Sequence, residues 1–240
     1  MLNELQKGGP LKKVAEDKSS IQRAYLQIKQ LMFEQRLVPG QRLLTRELSH
    51  MLNMSKTPII NALNRLEQEG FVASETFYGY YLKPIDAKEI MDACEVREAL
   101  EQKAIKLAIT LAKDEQMTVL EEKFYAHEQY MPHKYDKHKF LLDAQLHLQI
   151  ATMSGNEVLK YLLRRNLEHI ILRVRLDDYD PQRMASSAKE HHELVEGMKR
   201  KDILGCSEII RTHIERGRDH VLKCLSSNVL NGFQSNDFFA

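Results

Sequence analysis

A chain of 240 residues is long enough for two folded units with ample cores. With 29% charged residues it does not read as a fibrous or disordered polypeptide, and no apolar run approaches membrane-spanning length. Three cysteines, Cys94, Cys206 and Cys224, are an odd number without C-x-x-C spacing, so they read as reduced thiols of a cytoplasmic protein rather than a disulfide frame or zinc knot.

The formal net charge of +1 is unevenly spread. Residues 1–83 hold 12 Lys+Arg against 8 Asp+Glu, and residues 84–240 hold 23 against 26. The basic excess therefore lies in the N-terminal third. Residues 1–19 read as a polar arm with a Gly8-Gly9-Pro10 break, lacking the apolar core of a secretory signal. A helix is expected over 20–35, with Ile21, Ala24, Tyr25, Ile28, Leu31 and Met32 on its apolar stripe. Val38-Pro39-Gly40 ends it.

Residues 39–82 then read as two short helices back to back, followed by a hairpin. Thr45 is expected to cap the first helix, Thr45–Leu52, with Asn53-Met54 as the turn. Ser55 is expected to cap the second, with Pro58 in its first turn. Ile59, Ala62, Leu63 and Leu66 form its buried stripe. Lys56, Thr57, Ile60, Asn61, Asn64, Arg65 and Gln68 occupy the other face. An apolar back, a cation and hydroxyl at the N-terminus and amides along the front suit a DNA major groove. Phe71–Ser74 and Tyr80–Leu82 read as strands around Phe77-Tyr78-Gly79, which makes the element a winged helix-turn-helix over 20–83.

P-G-x-x-L, R-E-L, S-x-T-P, N-A-L-x-R-L-E-x-E-G and the wing glycine resemble the DNA-binding domain of the GntR family of bacterial transcription regulators. The resemblance implies DNA contacts from Arg46, Ser55, Lys56, Thr57, Ile60, Asn61, Asn64, Arg65 and Gly79. Arg46 matches the first of three arginines that the family turns to DNA. Lys56 stands where the second is usually Arg, and Ile60 replaces the third; Asn61 replaces a common Glu. Lysine keeps the charge but loses the bidentate fork, and an isoleucine can touch a thymine methyl but cannot bond guanine.

After Lys83-Pro84-Ile85, Asp86 can cap the next helix. Helices are expected over 87–112, 114–130, 135–154, 156–178, 184–200 and 203–224, with a polar tail over 225–240. The fold class is thus mainly α: a winged helix-turn-helix domain and an antiparallel helical bundle over 84–224. Several polar residues fall on apolar faces. Asp143 and His147 share one face with Phe140 and Ile150, His191 sits with Val195 and Met198, and His213 with Cys206 and Ile209. Arg97 and Glu101 line up with Ile90, Cys94, Ala104 and Ala108. Asp143 and His147 at i, i+4 are a two-ligand pair for a metal, and two histidines from other helices would complete three His and one carboxylate. Taken singly, each histidine, including His50, His127, His133, His138, His169, His192 and His220, reads as an ordinary core or surface residue.

EVREALEQKAIKLA, DAQLHLQIATMSGN and EHHELVEGMKRKD followed by His213 resemble the ligand-binding (FCD) domain of the FadR-type branch of the same family. That resemblance implies a divalent metal on Asp143, His147, His191 and His213, zinc first, with nickel, manganese, iron or cobalt also compatible. It implies that Arg97, with Glu101 beside it, faces the cavity and binds a small carboxylate. Leu146 stands where an aromatic is usual. The expectation is a cytoplasmic homodimeric regulator that binds a two-fold operator and no membrane, in a family made up mostly of repressors. The alternatives are a purely structural metal with a different effector, and a helical metal-dependent hydrolase. Against the latter, the chain has no His-Asp dipeptide, no nucleophile beside a marked base and no phosphate-cradling glycine loop.

Overall fold

The computed structural model describes residues 19–131, 137–174 and 180–232, with side chains described to 226 apart from that of Pro181. These residues form a mainly α protein with one two-stranded antiparallel sheet, the class expected. The chain divides into two compact units, Met1–Ile85 with Glu168–Arg175, and Asp86–Leu167 with Leu176–Ala240. Residues 1–18 of the expected arm, the breaks at Pro132 and Tyr179, and the tail beyond 232 lie outside the described residues.

In the first unit α1 (Ser20–Phe33) begins where Ser19 Oγ accepts the Gln22 N–H at 3.3 Å. Ala24, Tyr25, Ile28, Leu31 and Met32 are buried as their spacing predicts. Ile21 is not: it lies in the first turn, beyond the packed part of the stripe, and is exposed. Between α2 (Thr45–Leu52) and α3 (Lys56–Gln68), Asn53 takes the left-handed conformation at φ 49°, which asparagine tolerates better than most residues. Neither expected cap forms. Leu44 holds the cap position of α2, so Thr45 is already inside the helix. Ser55 holds that of α3 but makes no side-chain bond. One of the two N–H groups such a side chain could bond, the third helical residue, belongs to Pro58, which has none.

Ile59, Ala62, Leu63 and Leu66 of α3 have no exposed surface and pack toward α1. Burying one Leu or Ile side chain contributes about 1.5–3 kcal/mol, so α3 is anchored by its back while Lys56, Thr57, Ile60 and Asn61 on its front stay exposed. The strands are β1 (Val72–Glu75) and β2 (Gly79–Leu82), with Val72 opposite Leu82 and Glu75 opposite Gly79. β1 is shifted by one residue from expectation and β2 starts one residue early, at Gly79; Phe71, just before β1, is wholly buried, with its carbonyl accepting the Lys83 N–H at 3.0 Å. Ser74 Oγ donates to Glu67 Oε1 at 2.5 Å and Tyr80 Oη donates to Asn64 Oδ1, which fastens the hairpin to α3. Lys29 is buried in the same unit. Its Nζ donates to Glu168 Oε2 at 2.6 Å and to Tyr25 Oη at 3.0 Å, and Leu172 completes the apolar core.

The second unit contains α4 (Ala87–Leu111), α5 (Asp114–Gln129), α6 (His138–Met153), the first part of α7 (Glu157–Arg173), α8 (Pro181–Lys199) and α9 (Ile203–Gly232). Asp86 caps α4 with Glu89 in a reciprocal capping box. Helix α6 is buried along nearly its whole length, including Leu141, Leu142, Leu146, His147, Ile150 and Met153, and packs against α4 and α5. Lys139 Nζ donates to the carbonyls of His127 and Tyr130, covering the C-terminal end of α5 where a cation is favourable. Four helix ends differ from expectation by three residues or more: α6 starts at His138 instead of 135, α7 ends at Arg173 instead of 178, and the start of α8 and the end of α9 also move. Helix α8 starts at Pro181, since proline suits the first helical position and Asp180 Oδ1 accepts the Gln182 and Arg183 N–H groups at 3.0 Å. Helix α9 continues from the expected end at Cys224 to Gly232, because no Gly or Pro interrupts residues 225–231.

Candidate functional site

Two places carry chemistry, one in each unit. In the first, Arg46, Ser55, Lys56, Thr57, Ile60 and Asn61 are all exposed, with Lys56 and Thr57 in the opening turn of α3. The unpaired N–H groups of that turn add a partial positive charge suited to phosphate. Asn64 and Arg65 are committed within the protein. Asn64 Oδ1 accepts from Tyr80, while Arg65 pairs with Glu69 at 3.1 Å, donates to Gln22 Oε1 at 2.8 Å and lies 3.9 Å from the Tyr25 ring centroid. Gly79 has φ +83°, and a β-carbon there would meet nothing within 4 Å, so it is required for backbone conformation and not for space.

In the second unit α6, α8 and α9 bring Asp143, His147, His191 and His213 together, each offering a ligand atom within 4.8 Å of the others. His191 Nε2 lies 3.3 Å from Asp143 Oδ1 and 3.3 Å from His147 Nε2. His213 Nε2 is 3.5 Å from Asp143 Oδ1, and His147 Nε2 is 3.6 Å from Asp143 Oδ2. Metal bonds of about 2.1 Å place tetrahedral ligand atoms about 3.4 Å apart, so these spacings fit one ion. All three imidazoles turn Nε2 inward and are held from behind at Nδ1. Glu190 Oε2 lies 2.8 Å from His213 Nδ1. His127 Nδ1 is 3.2 Å from His191 Nδ1. Glu101 Oε2 is 2.5 Å from His147 Nδ1, an ion-pair contact off the geometry of a good hydrogen bond. Such outer partners fix ring orientation and tautomer.

The electrostatics favour the ligating forms of Asp143 and His191, whereas at His147 burial is outweighed by the carboxylates of Glu101 and Asp143, which raise it above its ordinary value. Burial opposes ionisation of Asp143, but the charge of His147 and hydrogen bonds from the three imidazoles hold it well below the usual carboxylate range. Burial pushes His191 well below its ordinary value, so its lone pair is available. Burial also lowers His127, to about 3. Glu101 is held down at about 2 despite burial, by Arg97 and His147, and Glu190 at about 2 by His213, Arg216 and Arg183. Arg97 Nε donates to Glu101 Oε1 at 2.5 Å. Its Nη2 is buried without a hydrogen-bond partner, 3.7 Å from Asp143 Oδ2. Glu101, expected to join Arg97 at the effector, has its two oxygens on Arg97 and His147.

Residues 92–216 match the family model of the FCD domain, and residues 20–81 match that of the bacterial regulatory proteins of the gntR family. The chain belongs to the FCD branch of the GntR regulators. It is 29% identical over 199 residues to the Nta operon transcriptional regulator of Aminobacter aminovorans, covering 82% of this chain and 92% of that one. It is 22% identical over 195 residues to the HTH-type transcriptional repressor RspR of Escherichia coli K12, covering 80% and 84%. In fold it resembles E. coli McbR/YncC, with a TM-score of 0.70 at 19% identity over 86% of this chain and 98% of that one. A putative GntR regulator from Rhodococcus sp. RHA1 gives a TM-score of 0.68 at 17% identity over 86% and 99%. As a GntR regulator the protein is a DNA-binding transcription factor and not an enzyme, which sets aside the hydrolase alternative. Among the described residues no helix is long and apolar enough to cross a membrane.

Two groups beside the Asp143–His147–His191–His213 cluster of this GntR regulator were not singled out from sequence. His127 has no ligand-type residue three or four positions away, and only the packing of α5 against α8 brings it to His191. Glu190 immediately precedes His191, yet it serves His213 across the helix pair. In both cases the signal lies between helices, where sequence spacing carries no information.

Proposed function

We propose that the protein is a cytoplasmic homodimeric regulator whose affinity for a two-fold operator is set by a small carboxylate bound at a divalent metal in the FCD domain. Asp143, His147, His191 and His213 would hold the ion, zinc first, with nickel, manganese, iron or cobalt also suited to nitrogen and oxygen donors. The observation that carries this reading is the inward turn of three Nε2 atoms onto Asp143, each backed at Nδ1, beside a buried Arg97 Nη2 that makes no hydrogen bond. The ion supplies positive charge and a coordination site for a carboxylate oxygen. Arg97 Nη2 supplies a charge-assisted donor for the same group, and its orientation is set by Glu101.

Arg46, Lys56, Thr57, Ile60 and Asn61 would meet the operator, with the exposed N-terminus of α3 in the major groove. The modest basic excess of one winged unit favours a dimer, which doubles the phosphate contacts. Val158, Tyr161 and Leu162 are exposed together on one side of α7, a surface that a second copy would cover. The acid changes DNA affinity only by its different affinity for two states, typically about 1–3 kcal/mol of coupling. A purely structural metal is the second reading. Its support is the burial of the three histidines, none more than 3% exposed.

A thermal-shift screen of the purified chain against small carboxylates, with and without a chelator, separates the two. An acid that raises the melting temperature only when metal is present supports the sensor. No response to any acid, with a lower melting temperature on chelation, supports the structural metal. A chain whose melting responds to neither chelator nor added metal would refute both.

A further inference from the structure

The wing tip carries a residue that local physics disfavours. Glu75 to Tyr78 form a tight turn closed by the Tyr78 N–H donating to the Glu75 carbonyl at 3.2 Å, and the third residue, Phe77, has φ +69°. A turn with positive φ at that position is where glycine is favoured, and a phenylalanine there is strained. Phe77 is also 99% exposed, the most exposed large apolar side chain among the described residues. Its neighbours are anchored. Tyr78 packs edge-on against Tyr81 at 5.8 Å between ring centroids and lies under the Arg42 guanidinium at 5.1 Å. Folding therefore gains nothing visible from Phe77, while the turn holds it out as the foremost apolar group of the hairpin.

We propose that Phe77 is an apolar wedge that enters the minor groove beside the recognition-helix site, parts a base step and bends the operator. The wing is fastened along the flank of α3 by the Tyr80–Asn64 and Ser74–Glu67 hydrogen bonds. With α3 in a major groove, a hairpin on its flank reaches over the phosphate ridge toward the adjacent minor groove. Strands of this length carry the tip roughly 10 Å outward. Arg42 stands beside the tip as a cation for the phosphates bordering that groove, and the nearest acid, Glu75, is engaged by the Tyr81 hydroxyl. Apolar side chains that enter minor grooves unstack steps and kink the duplex, and they do so most readily at flexible TA or CA steps. A strained backbone that holds the ring outward lowers the entropy lost on insertion.

The test uses the full-length chain and a duplex that it selects from a random-sequence library. The expectation is a TA or CA step flanking each half-site. With 2-aminopurine at that step, binding should raise the fluorescence, and end-to-end energy transfer should report a bend. Phe77→Gly removes the wedge and relieves the strained turn. It should melt no lower than the native chain, bind the selected duplex about tenfold or more weakly, and leave it unbent and stacked. Phe77→Leu should retain part of the bend. A Phe77→Gly chain that binds and bends the duplex as the native chain does would overturn the proposal. A native chain that selects no duplex would overturn it together with the α3 contact assignment.

Discussion

Replacing His127 by Phe should weaken metal binding without touching a ligand. His127 is buried at 1% exposure, and its Nδ1 lies 3.2 Å from His191 Nδ1. For His191 to offer the Nε2 lone pair to an ion, its proton must sit on Nδ1, and His127 is the acceptor for that proton. A phenylalanine of similar volume fills the space but accepts nothing. Leaving one buried N–H unpaired costs about 1–3 kcal/mol, which weakens binding between about fivefold and 150-fold at 1.4 kcal/mol per decade. Losses of about 10–100-fold are usual when an outer partner of a ligating histidine is removed. The assay is a competition titration of zinc between the metal-stripped chain and a chelating dye, with circular dichroism to check the fold. His192→Phe, at an exposed site one residue from His191, is the control and should leave the affinity unchanged. Native zinc affinity in a folded His127→Phe chain would refute the tautomer argument.

Arg97→Ala should lower carboxylate affinity more than metal affinity, measured by calorimetry on the zinc-loaded chain; the reverse order would make Arg97 only a support for Glu101. Lys56→Ala and Arg46→Ala should each weaken binding to a selected operator and lower the salt slope by about one, with melting of the bundle unchanged; native affinity in both would rule out the assigned α3 contacts. Glu168→Ala should destabilise the first unit by about 3–5 kcal/mol in urea titration, because it strands the buried Lys29 charge. Lys29→Met combined with Glu168→Leu should recover most of that loss, and a double variant as unstable as the single one would contradict the reasoning.

Much of the architecture is legible from periodicity, since burial follows spacing wherever a helix has one partner face. Ile59, Ala62, Leu63 and Leu66 are an example, and the Asp86 cap is legible for the same local reason. Asp143 and His147 lie one turn apart on α6, so their meeting is a property of one helix. Where an element's state depends on a neighbour, spacing misleads. Ser55 fits a capping pattern but lacks its bond, with a proline at the third helical position. Ile21 fits a stripe that packing does not extend to cover. The inclusion of Glu168–Arg175 in the first unit is a long-range association that no local pattern marks. The outer partners His127 and Glu190 are hidden for the same reason, because they meet their histidines across helices.

The most direct test of the sensor is calorimetry on the full-length chain in two steps: zinc into the metal-stripped protein, then the stabilising acid into the zinc-loaded and the stripped forms. A metal-dependent carboxylate sensor predicts one zinc per chain, with acid binding confined to the loaded form. Equal acid binding in both forms, or no zinc uptake, would contradict it.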